Sequence, residues 1–226
     1  MKHAMIYMTL LCALAGISAA QAAETLPLKH ANIRLDQTTL RKGLQVFAGV
    51  CMGCHSARYV TYKDLMDYPE IGITRKQADD LRGEHPLTAA LISGMSPADA
   101  KVSFGKVPPD LSLMALARRG GANYIYSILT GFKHDPTGRI PDGNYNVYFP
   151  GHRIAMPDPL SWLDHDPAET KGLEQQARDV AAFLTFIADP HQNKRHEIGF
   201  WVIGFLILMT LVLWLLKVEV WRDVKH

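Results

Sequence analysis

Nineteen consecutive residues, Ile198 to Leu216 (IGFWVIGFLILMTLVLWLL), carry no charge, and that run leaves one end of the chain a single option. In hydrocarbon every backbone N–H and C=O has to be satisfied within the segment, so the run is read as a helix. About 20 residues of helix cross a hydrocarbon core of roughly 30 Å. A helix of a soluble core keeps a polar face, and this one has none. Trp201, Trp214 and Trp221 fall near its two edges, where amphipathic rings settle at headgroup level. The other end is apolar for a different reason. MKHAMIYMTLLCALAGISAAQAA joins Lys2, a short apolar run from Ala4 to Ile17 and small residues up to Ala23, the layout of a cleavable export signal. Basic residues flank the C-terminal span on both sides, so the signal sets the orientation. The expected organisation is a signal peptide over 1–23, a periplasmic domain over 24–197, a transmembrane helix over 198–216 and a cytoplasmic tail over 217–226.

The exported part is long enough for one buried domain. With 24 basic and 22 acidic residues in the chain, neither sign dominates, and the footprint of a nucleic-acid binder is absent. Of three cysteines, Cys12 leaves with the signal, and the remaining Cys51 and Cys54 exclude a disulfide scaffold beyond one tight loop. They stand in CMGCH, residues 51 to 55. A structural zinc site needs four ligands, and no second pair exists. A redox dithiol of the thioredoxin kind sits between a strand and a helix, whereas no apolar strand run precedes Cys51. The preceding segment reads as a helix capped by Asp36, with Leu40, Leu44, Phe47 and Cys51 on one face. What remains is covalent haem c: two thiols at this spacing reach the two vinyl groups of one porphyrin, and His55 then lies under the iron.

The second axial position decides between an electron carrier and an open site for small molecules. The exported residues offer Met52, Met66, Met95, Met114 and Met156. Met52 is inside the attachment loop and cannot reach the opposite face. Met114, in LSLMALARR, reads as helix core filler, and Met66 lies in a polar surface segment. Met95 in SGMSP and Met156 in IAMPDP are loop residues beside proline, which fixes the backbone that would present a ligand. Met156 is favoured, with Met95 and His152 as alternatives, because it leads into the last soluble helix, expected over about 172–188. That helix places Leu173, Ala177, Val180, Ala181 and Leu184 on one face, ready to pack on the first helix, and stops at Pro190.

CMGCHS (51–56), PPDLS (108–112), ALARRGG (115–121), YIYSILTGF (124–132), NVYFPG (146–151) and IAMP (154–157) occur in that order ahead of one C-terminal span. In these blocks the chain resembles the cytochrome c1 family, haem subunits of the cytochrome bc1 complex (ubiquinol:cytochrome c oxidoreductase), over essentially its whole mature length. The resemblance implies a mainly α, class I cytochrome c type domain with one covalent haem c and one transmembrane helix. It implies thioether roles for Cys51 and Cys54, axial ligation by His55 and Met156, a wall on the histidine side from Pro108 and Pro109, a propionate contact at Arg118 and an aromatic neighbour at Tyr124. From the residues alone, Arg118 and Arg119 read as a solvated turn, and Tyr124 and Tyr126 as core packing. Arg119 stands where the family often has histidine, and Val147 where NPYFPG would have proline.

The implied function is single-electron transfer from the Rieske iron-sulfur protein to a soluble or tethered c-type cytochrome, within a dimeric complex with cytochrome b in a bacterial inner membrane. The enzyme activity belongs to the assembly, and no catalytic acid or base is assigned to this chain. A free-standing tethered cytochrome c and an open-site haem sensor or peroxidase are the alternative readings. Residues 60–107 read as connections and short helices over the haem, and Asp64, Asp67 and Glu70 as a solvated face before a landing site for a basic partner.

Overall fold

The computed structural model describes residues 27–162 and 170–223. The expected export signal lies outside the described residues. Ten regular elements run in the order α1 (Gln37–Gly49), β1 (Ala57–Thr61), α2 (Tyr62–Asp67), α3 (Arg75–Arg82), β2 (Ala90–Leu91), α4 (Pro97–Phe104), α5 (Met114–Ala117), α6 (Ala122–Leu129), α7 (Thr170–Ala188) and α8 (Gln192–Trp221). The described chain is mainly helical, as expected, with one small antiparallel pair, β1 with β2.

α1 begins where Asp36 accepts from Thr39 N at 3.1 Å, satisfying a donor that the first turn leaves free. Leu40, Leu44 and Phe47 recur at helical spacing and are buried. α7 repeats the device with Ala177, Val180, Ala181 and Leu184, all buried, and the two apolar stripes face each other. They approach closely because Gly43 sits at the crossing: a β-carbon there would lie 2.1 Å from the Asp179 carbonyl oxygen. Phe47 and Phe183 fill the space beside it, their ring centroids 5.5 Å apart. Full burial of one such ring stabilises by about 1.5–3 kcal/mol. α5 and α6 pack on the same long helix.

Cys51 departs from the expected helical stripe. α1 ends at Gly49, and Cys51–Gly53 form a single tighter 3-10 turn. Residues 57 to 91 also differ from expectation in holding the β1–β2 pair, which joins Ala57 to Leu91 and Thr61 to Ala90 across a bulge. The outward acids of this region are engaged locally: Asp64 closes a capping box with Thr61, and Asp67 pairs with Lys63.

α7 closes at Ala188, just before Pro190, and α8 starts after a turn of three residues. Residues Lys194–Trp221 are long and apolar enough to cross a membrane. The helix extends beyond 198–216 at both ends, because residues 192–197 and 217–221 continue its hydrogen bonding outside the uncharged run.

Candidate functional site

The turn after α1 is the first wall of a cavity. Cys54 N and His55 N both donate to the Cys51 carbonyl, at 3.1 and 2.8 Å, which brings Cys51, Cys54 and His55 to one side of the chain. The two cysteines are not bonded to each other. Burial, reinforced by Cys54, pushes the Cys51 thiol up to about 12. In the bare polypeptide it is therefore a protonated thiol at neutral pH, not the low-pKa thiolate of a redox dithiol.

The second wall is clamped to the first. Leu111 N donates to Ser56 O at 2.8 Å, Asp110 accepts from Arg58 N at 3.0 Å, and Tyr59 N donates to the buried Ser112 hydroxyl at 3.1 Å. These bonds hold Pro108 and Pro109 beside His55, whose Nδ1 lies 2.7 Å from the Pro109 carbonyl. A carbonyl only accepts, so Nδ1 carries the proton and Nε2 keeps its lone pair. Burial lowers the His55 pKa, against the Pro109 carbonyl and Asp110, which raise it. The imidazole is thus neutral, oriented and basic at one nitrogen, the state in which histidine binds a metal.

The third wall comes from residues 146–157. Asn146, fully buried, donates from Nδ2 to Ile128 O at 2.7 Å and accepts from Tyr148 N at 3.1 Å. Its backbone N–H bonds His152 O at 2.8 Å, and Ile154 N bonds Asn144 O at 3.0 Å. A compact loop results, with left-handed backbone at His152 and Gly151, and it presents Ile154, Ala155 and Met156 to the cavity.

The cavity measures about 430 Å³ and is lined by all eight residues singled out in the sequence: Cys51, Cys54, His55, Pro108, Pro109, Arg118, Tyr124 and Met156. Most of the remaining lining is apolar, including Leu111, Ile128, Phe149, Val180 and Leu184. Sequence reasoning placed Val180 and Leu184 on the face toward α1, and they also close the cavity. Phe149 and Ile128 lay inside quoted motifs without a role, and only the fold reveals one. Arg118 lies over the Tyr124 ring, 5.9 Å from its centroid. Tyr126 instead points into the core, where its hydroxyl accepts from Arg178 at 3.0 Å.

Met66, Met95 and His152 do not line this cavity, whereas Met114 does. Met114 was read as core filler, and it packs against the core while touching the cavity as well. His152 stacks on Tyr145 at 5.4 Å. Of residues 60–107, only Phe104, Lys106 and Val107 reach the lining, so that segment covers less of the site than expected.

Two thiols, a neutral imidazole with a free lone pair and a thioether therefore converge on one apolar space. The donor set suits a flat, mostly apolar group carrying iron, with soft sulfur and imidazole at its centre.

The protein-family model described as "Cytochrome C1 family" matches residues 27–93 and 90–224. Cytochrome c1 of Rhodospirillum rubrum is 35% identical over 232 residues, covering 85% of this chain and 84% of that protein. The mitochondrial "Cytochrome c1, heme protein" of Schizosaccharomyces pombe is 34% identical over 215 residues, covering 84% and 69%. Cytochrome b/c1 of Bradyrhizobium diazoefficiens is 31% identical over 232 residues, which span 84% of this chain and 34% of that longer one.

Proposed function

The chain belongs to the cytochrome c1 family, and from that premise we propose that its exported domain takes single electrons from the Rieske iron-sulfur protein and passes them to a c-type cytochrome. It is a haem c electron-transfer subunit of a cytochrome bc1 complex, a membrane protein with one span, and it shares that complex with cytochrome b. The proposal adds the direction of flow, a periplasmic position for residues 24–197, a short cytoplasmic tail and a dimeric assembly.

Haem c, when bound, supplies a one-electron iron couple. Everything else is the work of this chain. Cys51 and Cys54 would hold the group through thioether bonds to its two vinyl positions. His55 gives its Nε2 lone pair, and the Pro109 carbonyl fixes both the ring orientation and the tautomer. Met156, which lines the same cavity, would supply a thioether ligand. Met114 lines the same cavity, but it also packs against the core, whereas Met156 lies in a loop beside proline that leads into α7. That loop is braced by Asn146. The apolar side chains of the lining would keep water from the group. Arg118, held over the Tyr124 ring, would meet a carboxylate of the group. No group in the cavity is assigned as a catalytic acid or base, since the chain moves electrons only.

The observation that carries this reading is the 2.7 Å contact between His55 Nδ1 and Pro109 O in a cavity shared with both thiols and Met156. The test is Met156→Ala in the purified complex. Ferrous protein is expected to gain carbon monoxide binding and lose its high potential, and unchanged spectra with and without carbon monoxide would reject Met156 as ligand. A reduced-minus-oxidised spectrum of the material that purifies with this chain checks the assembly. Bands of c-type and b-type haem in a fixed ratio are expected, and a c-type band alone would favour a free-standing tethered carrier.

A further inference from the structure

Resting on the electron-carrier reading above, we propose that Tyr68 is a positioning residue for that transfer: its ring, set between the end of α7 and the start of α8, fixes the angle at which the haem domain stands on its membrane span. Tyr68 is not among the described residues that line the haem cavity. Its ring meets Phe186 edge-on with centroids 5.5 Å apart, and meets His191 edge-on at 6.4 Å. Phe186 is buried in the last turn of α7, whereas His191 is the residue that opens α8. One ring thus touches both sides of the joint at 189–191, and aromatic pairs at these separations favour particular relative orientations.

A ring braces a joint only if its own backbone is held, and α1 holds this one. Tyr68 N donates to Asp64 O at 2.9 Å, and Tyr68 O accepts from Ile71 N at 3.0 Å and from Gly72 N at 2.7 Å. The turn closes through Gly72 at a φ of +53°, a left-handed backbone that glycine adopts without strain. From α1, Gln37 Nε2 donates to Pro69 O at 3.1 Å and Arg41 Nε to Ile71 O at 2.8 Å, while Arg41 Nη2 bonds Gly72 O. Ile71 is fully buried beneath them. The joint has little freedom of its own: Asp189 N donates to Phe186 O at 3.1 Å, Gln192 N to Asp189 O at 3.2 Å and Arg195 N to His191 O at 2.8 Å, and Pro190 has a fixed φ. Asp189 and Arg195 pair across the same turn, but Arg195 is exposed, so water screens the pair. From Ile198 onward the large apolar residues are exposed, so the domain grips α8 at its first turn. A tilt there is carried to the haem cavity as a displacement, and about 1 Å of misplacement can cost up to about a hundredfold in rate.

The test uses membranes carrying the intact complex, dried into ordered multilayers, with electron paramagnetic resonance reading the angle between the ferric haem c axes and the membrane normal. The b-type haems in the same sample report how well the membranes themselves are ordered. In Tyr68→Ala the angular spread of haem c is expected to widen about twofold while that of the b-type haems stays native, and quinol should reduce haem c about tenfold more slowly. Tyr68→Phe keeps the ring and should restore both. The haem c midpoint potential, and its oxidation by ferricyanide arriving from solution, should stay native in both variants. His191→Ala alters an exposed residue and removes only the contact on the α8 side, so it should widen the spread even where Tyr68→Ala fails to fold. A native spread in His191→Ala would overturn the proposal, as would a native reduction rate beside a widened spread. A shifted midpoint potential in any of these variants would overturn it too, by placing the effect inside the haem domain. Failure of quinol to reduce haem c in the unaltered complex would instead refute the electron-carrier reading, and the angular measurement does not depend on that reduction.

Discussion

A single buried amide illustrates what the residues at this site do besides bind. Asn146 was quoted within NVYFPG with no role attached, yet it ties the Met156 loop to α6 through Ile128 O and organises Tyr148. Asn146→Ala would leave the Tyr148 N–H without its partner and the Ile128 carbonyl with only backbone donors such as Gly131 N at 3.3 Å, a cost of about 1–3 kcal/mol. The expected result is a lower melting temperature followed at the Soret band, and an unchanged melt would show that the loop is held otherwise. Asp135 organises the preceding loop. Its carboxylate accepts from Thr137 N, Arg139 N and Ile140 N at 2.8–2.9 Å, and the Thr137 bond foremost lowers its pKa to about 2, with burial opposing. A pKa depressed on folding stabilises the native state above the ordinary carboxylate value of about 3.9, and that contribution fades as pH falls from there toward about 2. The melting difference between the native chain and Asp135→Asn should therefore be constant above about pH 5 and narrow below about pH 4. A gap that stays constant through that window would rule out the carboxylate as its source. The iron-ligand candidates were legible because their chemistry is written in residue type and spacing. Asn146 and Asp135 were not, because an amide or an acid acquires its role only from what the fold sets opposite it.

Among the elements, the α1–α7 crossing shows how far periodicity reaches. The stripe of Leu40, Leu44 and Phe47 and that of Ala177, Val180, Ala181 and Leu184 were readable as facing surfaces, and the two helices do pack together. Periodicity could not say how closely. Gly43 sets the distance, since a methyl there would meet the Asp179 carbonyl at 2.1 Å and the Phe183 β-carbon at 2.7 Å. Backbone cannot move aside as a side chain does, so Gly43→Ala is expected to separate the helices and destabilise by about 1–3 kcal/mol. Both Val180 and Leu184 line the cavity, so the haem band should broaden or shift as well as melt earlier. A variant with native melting and native spectrum would show that α7 tolerates displacement. The β1–β2 pair escaped the sequence for the opposite reason. ARYVT is five residues long with two outward positions, Arg58 and Tyr59, between buried Ala57 and Val60, and its partner is two residues long. Neither carries an alternation that a short window can detect. Their pairing is decided by tertiary contacts, among them Ser93 N to Ser56 Oγ at 2.9 Å.

On the scale of the whole molecule, the core and the span are separate constructions joined by residues 189–191. The buried hydrophobic set ends at Ala188, and the large apolar residues from Ile198 to Trp221 are 40–74% exposed. A helix with so much apolar surface gains nothing from the domain and everything from lipid, while the domain owes its cavity to walls that lie entirely before α8. Fixing an electron acceptor at the membrane surface is then the task of α8, and shaping the iron site is not. A chain ended at Pro190 should accordingly be exported, acquire its c-type haem and remain soluble, with the visible spectrum of the full-length chain intact. It should no longer purify with b-type haem, because the residues that can meet cytochrome b within the bilayer have gone. If the shortened chain lost its haem or precipitated, α8 would be a part of the domain's fold. If it kept both its spectrum and its b-type partner, the complex would be held by the exported surface instead, and the span would be only a tether.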